Sequence, residues 1–202
     1  MNKNGIESKI QIKPSTFLNP VPVVMVTCGT MERSNIVTLA WAGTVNSEPP
    51  MLSVSVRKER YSHDIIKNNG VFGVNLVSEA LVRATDYCGV KSGRDTDKFS
   101  ELKLTKIEGG KTGVPLIGES PASLECRVRQ VLELGSHDLF LAEIENVLVS
   151  RELFDEKGAI DLRKANLVAY NHGEYYALGD FLGFYGYSVA NQDALERRMR
   201  KK

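Results

Sequence analysis

Leu124-Glu125-Cys126-Arg127-Val128-Arg129 alternates strictly between apolar and charged side chains. A two-residue period puts Leu124, Cys126 and Val128 on one face and Glu125, Arg127 and Arg129 on the other. A second long apolar segment, residues 139–149, follows after Gly135-Ser136. Long strands joined across a glycine turn read as an antiparallel pair, the wall of a β-meander or barrel.

The rest of the chain extends that pattern. Residues 23–27 and 35–41 are apolar runs separated by a polar turn, 29–34, which is a hairpin signal. In the second run Asn35, Val37, Leu39 and Trp41 share one face and Ile36, Thr38 and Ala40 the other. Pro49-Pro50 blocks a helix, and residues 51–56 then alternate, with the serines on one face and the valines on the other. Ser62 is placed to cap a short helix carrying Ile65 and Ile66 and stopped by Gly70. After a strand at 71–76, Ser78 is placed to cap a second helix, with Leu81, Ala84 and Cys88 on one side and Gly89 at its end. Residues 89–98 read as a loop. The tail from 170 to 187 is rich in tyrosine, phenylalanine and glycine, and the charged residues 193–202 are expected to fray. The expected architecture is one domain over residues 1–202, mainly β with short helices (α+β). Neither a regular strand–helix alternation nor a Gly-x-Gly-x-x-Gly motif supports a doubly wound sheet.

Composition narrows the function classes. The 202 residues carry 26 Lys+Arg against 25 Asp+Glu, a formal net charge of +1. That balance argues against a general nucleic-acid binder and against a polybasic membrane anchor. No apolar stretch approaches the roughly 20 residues that span a bilayer, and the polar first ten residues do not read as a signal peptide. The expected location is the cytoplasm. Cys28, Cys88 and Cys126 lie far apart and read as buried hydrophobes. His63, His137 and His172 have no metal-ligand spacing, so no metal site is expected.

Four segments could carry chemistry. In Ser55-Val56-Arg57-Lys58-Glu59-Arg60-Tyr61-Ser62 a strand ends, two arginines follow and a helix opens. Unpaired N–H groups, the macrodipole and the arginine forks all favour a phosphate there. The same residues also suit a solvated basic turn. Residues 35–43 offer small side chains against which a flat heterocycle could lie, or a plain core strand. In Lys91-Ser92-Gly93-Arg94-Asp95-Thr96-Asp97-Lys98 the lysine, serine and glycine could form an anion nest, or the run could be solvated surface. His137, just past the hairpin turn, could reach into a cleft or stay exposed.

Taken in chain order, NPVPVVMVT, SNIVTLAWAGTVNSEPPMLSVSVRKERYSHDII, VFGVNL, DYCGVKSGRDTDKF, ESPASLECRV and LGSHDLFLAEIENV resemble the flavin-reductase-like, FMN-binding split-barrel family, in its flavoredoxin-type branch. The likeness covers most of the chain, from about residue 19 to 147. It implies a split β-barrel that forms a homodimer with FMN in a groove near the interface. By the same resemblance Asn35, Thr38, Ala40 and Trp41 would line the isoalloxazine ring, Ser55, Val56 and Arg57 would flank the ribityl chain, and Arg60, Tyr61 and Ser62 would hold the phosphate with help from Lys91 and Ser92. His137 would sit near the ring as the catalytic candidate. His63 departs from the family pattern and takes no role. The implied function is an FMN oxidoreductase passing electrons from transiently bound NAD(P)H or a protein donor to an acceptor. The alternative is an electron carrier or FMN-holding module without NAD(P)H turnover.

Overall fold

A computed structural model of the chain describes residues 9–199. Its strands are β1 (Val21–Pro22), β2 (Val24–Gly29), β3 (Ser34–Leu39), β4 (Ala42–Ser47), β5 (Pro50–Arg57), β6 (Val71–Leu76), β7 (Lys106–Glu108), β8 (Pro115–Ile117), β9 (Ala122–Glu133), β10 (His137–Val149), β11 (Val168–Asn171) and β12 (Glu174–Ala177). The helices are α1 (Tyr61–Asn69), α2 (Val82–Val90), α3 (Lys98–Glu101) and α4 (Gln192–Met199). The fold is thus mainly β with short helices.

Seven strands form one antiparallel sheet in the order β3-β2-β6-β9-β10-β5-β4. Its two edge strands, β3 and β4, are consecutive in the chain and separated only by Ala40 and Trp41. So short a link can join opposite edges only if the sheet curls until they approach. No ladder pairs β3 with β4 or β5 among the described residues; the bond from Ser55 N–H to the Trp41 carbonyl, 2.9 Å, continues the β4–β5 ladder beyond the Ala42–Val54 pair. The sheet is therefore curled and open, not a closed barrel.

The curl explains the core. Val24, Val26, Val37, Leu39, Leu52, Val54, Val56, Phe72, Val74 and Phe140, drawn from both edges and the centre of the sheet, form one buried cluster that Ile66 of α1 completes. The expected alternation in β5 holds: Leu52, Val54 and Val56 are buried while Ser53 and Ser55 lie half-buried on the other face. A second cluster, including Met25, Ile36, Leu81, Cys88 and Phe99, packs α2 and α3 on the outside of β2 and β3. Over these elements β1, β11 and β12 form a separate three-stranded sheet. All three cysteines are buried.

Several local expectations change. The N-cap of α1 is Arg60, not Ser62, and it makes no side-chain capping bond. Ser78 precedes a single 3-10 turn, again without a capping bond, and α2 runs through Gly89 to Val90. Glu125, expected outside, is fully buried, because the turn between β7 and β8 folds over it. The Lys111 and Thr112 amides, the Thr112 hydroxyl and Asn146 all donate to its carboxylate. Trp41 lies beyond the end of β3 and is 44% exposed, away from the core face of Val37 and Leu39. Residues 192–199 form α4: Asn191 accepts from the Ala194 amide at 2.9 Å and Arg198 sits 4.0 Å over the Phe184 ring, while 200–202, the rest of the segment expected to fray, lie outside the described residues.

Phe140 is fully buried where the sheet meets α1, with its ring edge-on to His63. Phe140→Ala should lower unfolding stability by about 3–5 kcal/mol. Urea denaturation followed by circular dichroism would measure it, and a loss below about 1 kcal/mol would contradict a core that converges there.

Candidate functional site

The site begins where β5 runs out. Arg57 ends the strand, and the Arg60 amide donates back to the Arg57 carbonyl at 3.0 Å, closing a tight turn. Arg60 keeps an extended conformation, and α1 starts at the next residue. The first-turn amides of a helix lack i−4 partners; here the His63 amide donates to the Arg60 carbonyl at 2.9 Å, and no side chain caps those of Tyr61 and Ser62. The Ser62 hydroxyl is turned instead to Asn35, whose Nδ2 donates to it at 2.7 Å. That bond ties α1 to β3.

A loop closes over this corner. Lys91 ends α2, and Gly93 passes so close to Asn35 that a β-carbon there would lie 2.0 Å from Asn35 Oδ1. Arg94 donates to the Glu59 carbonyl at 3.2 Å, with its guanidinium 5.5 Å from the Tyr61 ring centre. Between loop and helix lies a cleft of about 470 Å³. Five cations line it: Arg57, Arg60, Lys91, Arg94 and Lys98. None is within ion-pair distance of a carboxylate among the described residues. An uncapped helix start and unpaired cations make a strong anion site.

A second cleft of about 420 Å³ shares Arg57 and Arg60 with the first. Its walls include Thr38, Ala40, Trp41, Ser55, His137 and the tyrosines Tyr170 and Tyr175. The Thr38 hydroxyl is tied to the Thr85 carbonyl, and Gly89 of α2 lies over the Thr38 side chain. Trp41 and His137 lie face to face with ring centres 4.6 Å apart and planes 34° apart. Burial pulls the His137 pKa down, and Arg57 adds to this while Glu59 opposes it. Its imidazole is therefore neutral at neutral pH, with one donor and one acceptor nitrogen. Tyr175 donates to Asp86 at 3.3 Å, and burial together with that carboxylate pushes its phenol up to about 12.

The residues singled out from the sequence divide accordingly. Asn35, Arg57, Arg60, Tyr61, Ser62, Lys91 and Ser92 line the first cleft, and Thr38, Ala40, Trp41, Ser55, Arg57, Arg60 and His137 line the second. Val56 lies apart from both, because its side chain is sealed in the core. Gly93, Arg94 and Lys98 lay inside a quoted segment without being singled out; the spacing from Lys91 was their only signal. Tyr170, Tyr175 and Asp86 carried none, since only the folded chain brings them to the cleft.

Behind the site, His63 joins its two halves. Its Nδ1 lies 2.8 Å from Asp64 and its Nε2 2.9 Å from the buried Asp138. Lys58 lies 3.3 Å from Asp138 and Lys67 3.7 Å. This network locks α1, just after Ser62, to β10, just after His137. Burial pushes Asp138 up, but hydrogen bonding to His63 and Lys58 outweighs it and holds the carboxyl below its ordinary value.

Two outcomes follow. A carboxylate with a depressed pKa stabilises the fold above its unfolded value and loses that contribution as pH falls through the folded one. Asp138→Asn should therefore weaken the protein at neutral pH and flatten its stability loss below about pH 4; an acid limb identical to wild type, in thermal melts against pH, would contradict this. Gly93→Ala must push Asn35 aside and open the first cleft. Anion affinity, measured by calorimetry with inorganic pyrophosphate, should fall at least roughly fivefold, about 1 kcal/mol.

Comparison with known proteins points one way. The flavin reductase like domain family matches residues 17–179. Flavoredoxin of Desulfovibrio vulgaris (Miyazaki F) is 35% identical with a TM-score of 0.81, over 87% of this chain and 96% of that one. Flavoredoxin from Methanosarcina acetivorans is 32% identical, also at 0.81, over 91% of this chain and 100% of that one. A ferric-chelate reductase (NAD(P)H) of Archaeoglobus fulgidus is 28% identical over 109 residues, 54% of this chain and 63% of that protein. With a family match across most of its length and two flavoredoxin structures superposing on nearly all of it, this chain belongs to the flavin reductase like domain family.

Proposed function

We propose that the chain is an FMN-dependent oxidoreductase whose two clefts together hold one FMN. The observation that carries this is the shared wall: Arg57 and Arg60 border both the cationic cleft at the uncapped start of α1 and the aromatic cleft beside Trp41. A ligand with an anionic end and a flat heterocyclic end suits that pair. Both volumes fall within the few hundred Å³ usual for cofactor sites.

In this assignment Arg60, the Tyr61 and Ser62 amides, Lys91 and Ser92 hold the phosphate. Arg57 and Ser55 border the middle of the ligand, where Val56 can offer only its main chain. Thr38, Ala40 and Trp41 flank the ring, with Asn35 bracing Ser62. Bound FMN would supply the two-electron redox chemistry. The protein contributes binding, orientation and shielding from water. His137, neutral and stacked on Trp41, can donate or accept one hydrogen bond or pass a proton beside the ring, which makes it the catalytic candidate.

NAD(P)H as a transient donor is supported by the family and by the ferric-chelate reductase relative; the likeness to flavoredoxins supports a protein donor or acceptor. We assign a homodimer as the working form, in the cytoplasm. Trp41 and Val90 at the rim of the aromatic cleft, and Leu134 in the adjoining hairpin, are exposed apolar groups that a second copy would cover.

Anaerobic spectra of the FMN-loaded protein test the function: NADH or NADPH should bleach the flavin band within the time of turnover. Bleaching only by a reduced protein donor would make the chain a carrier. Arg60→Ala should weaken FMN by about 1.5–3 kcal/mol, a tenfold to hundredfold change. A protein that takes up no added FMN contradicts the proposal.

A further inference from the structure

His63 is sealed inside the protein, 5% exposed, and its ring lines neither cleft. It follows Ser62 in the first turn of α1. Both ring nitrogens meet carboxylates: Nδ1 lies 2.8 Å from Asp64 Oδ1 and Nε2 2.9 Å from Asp138 Oδ2. A carboxylate offers only acceptors, so each nitrogen must carry its own hydrogen for both bonds to form. Burial pushes Asp138 up, but His63 and Lys58 outweigh it and hold the carboxyl below its ordinary value, so Asp138 accepts and does not donate. A ring with two N–H groups is an imidazolium. A neutral ring would set one nitrogen lone pair against an oxygen lone pair.

The charges around the ring balance only with that second proton. Asp64 and Lys67 come from α1 itself, Lys58 from the turn before it, Asp138 from β10 and Glu133 from the end of β9. Lys58 and Lys67 each reach both Asp138 and Glu133, at 3.2 to 3.7 Å. Three carboxylates thus face two lysines, and the imidazolium supplies the third positive charge. The remaining ring neighbour, Phe140 of β10, is apolar and meets His63 edge-on.

We propose that His63 is a positioning residue of the cofactor site and that its second proton is linked to FMN binding: the site binds FMN more tightly with this ring charged than with it neutral. The assignment rests on the FMN function proposed above and adds a proton to it. The Tyr61 and Ser62 amides at the start of α1 face the anion end, and β10 carries His137 one residue before Asp138. Loss of one proton leaves a neutral hydrogen bond in place of a charge-assisted one, roughly half as strong, and turns a bare Nδ1 against Asp64 within the first turn. The amides then lose their fixed direction while the core stays packed. By reciprocity, bound FMN must make the ring hold its proton more firmly.

The test follows FMN affinity against pH in the wild type and in His63→Gln, which keeps one amide donor but is neutral at every pH. Proton loss from the wild-type ring is read from the His63 resonances by NMR. Wild-type affinity should fall at least about fivefold as the ring gives up its proton. The variant should lack that step and match the neutral-ring limb of the wild type. Any pH dependence shared by the two belongs to other groups, such as His137 and Lys98. A merely structural role would weaken the variant by the same factor at every pH, and that result, or superimposable profiles, would overturn the proposal. Should the variant fail to fold, the wild type decides: the ring should keep its proton to higher pH with FMN bound than without, and equal titration would overturn it. A wild type that takes up no FMN defeats the FMN assignment itself, whereas FMN binding without the His63 step defeats only the proton linkage.

Discussion

A chain that must leave one edge of a seven-stranded sheet and enter the other within two residues can do so only on a curled sheet. Everything at the site follows from that constraint. The link between β3 and β4 brings the edges together at Ala40 and Trp41 without pairing them. The outer side of β3 is free of a ladder there, while Trp41 stays with β5 through the bond from Ser55 N–H to its carbonyl. A closed barrel would have filled this gap with β hydrogen bonds. The open seam leaves a groove between an exposed tryptophan and the end of β5, and β5 leads into the start of α1. Ring-sized and phosphate-sized surfaces thus become neighbours through chain geometry alone.

The charges of the cationic cleft are arranged differently from those behind it. On the β9–β10 pair and behind the site charges are paired: Arg127 with Glu145, Arg129 with Glu143, Asp138 with His63 and Lys58. In the cationic cleft they are not. The helix start has no side-chain cap because its N-cap is Arg60, whose side chain carries no acceptor, while the Ser62 hydroxyl inside the first turn is engaged by Asn35. Local stability is given up where a ligand would restore it, a pattern common at functional sites. The His63–Asp138 network then fixes α1 against β10, so the anion end and the aromatic end cannot drift apart.

Much of this was legible in the chain. Period-two patterning located β5 and the long β9–β10 pair, glycine and polar turns located both hairpins, and the segment from Ser55 to Ser62 runs along the cationic cleft. The failures have physical causes. Ser62 has the composition of a cap, but the helix opens one residue earlier with Arg60 at the N-cap, which leaves the Ser62 hydroxyl free to meet Asn35. Glu125 has the pattern of a surface residue, but a distant turn folds over it and satisfies its carboxylate with four donors. Trp41 follows the alternation of β3 on paper, but the strand ends before it. Lys98 looks like loop charge until the fold shows where its stem points. Local pattern sets local structure, while capping, burial and cleft lining are settled by contacts between segments far apart in sequence.

Trp41 is the only tryptophan in the chain and lines the aromatic cleft, so its emission reports on ring occupancy there. Titration of the flavin-free protein with FMN should quench that emission almost completely at one FMN per chain, and added inorganic phosphate should shift the titration to weaker apparent affinity while leaving emission untouched on its own. Emission that survives saturation with FMN, or a titration indifferent to phosphate, would contradict a single ligand spanning the two clefts.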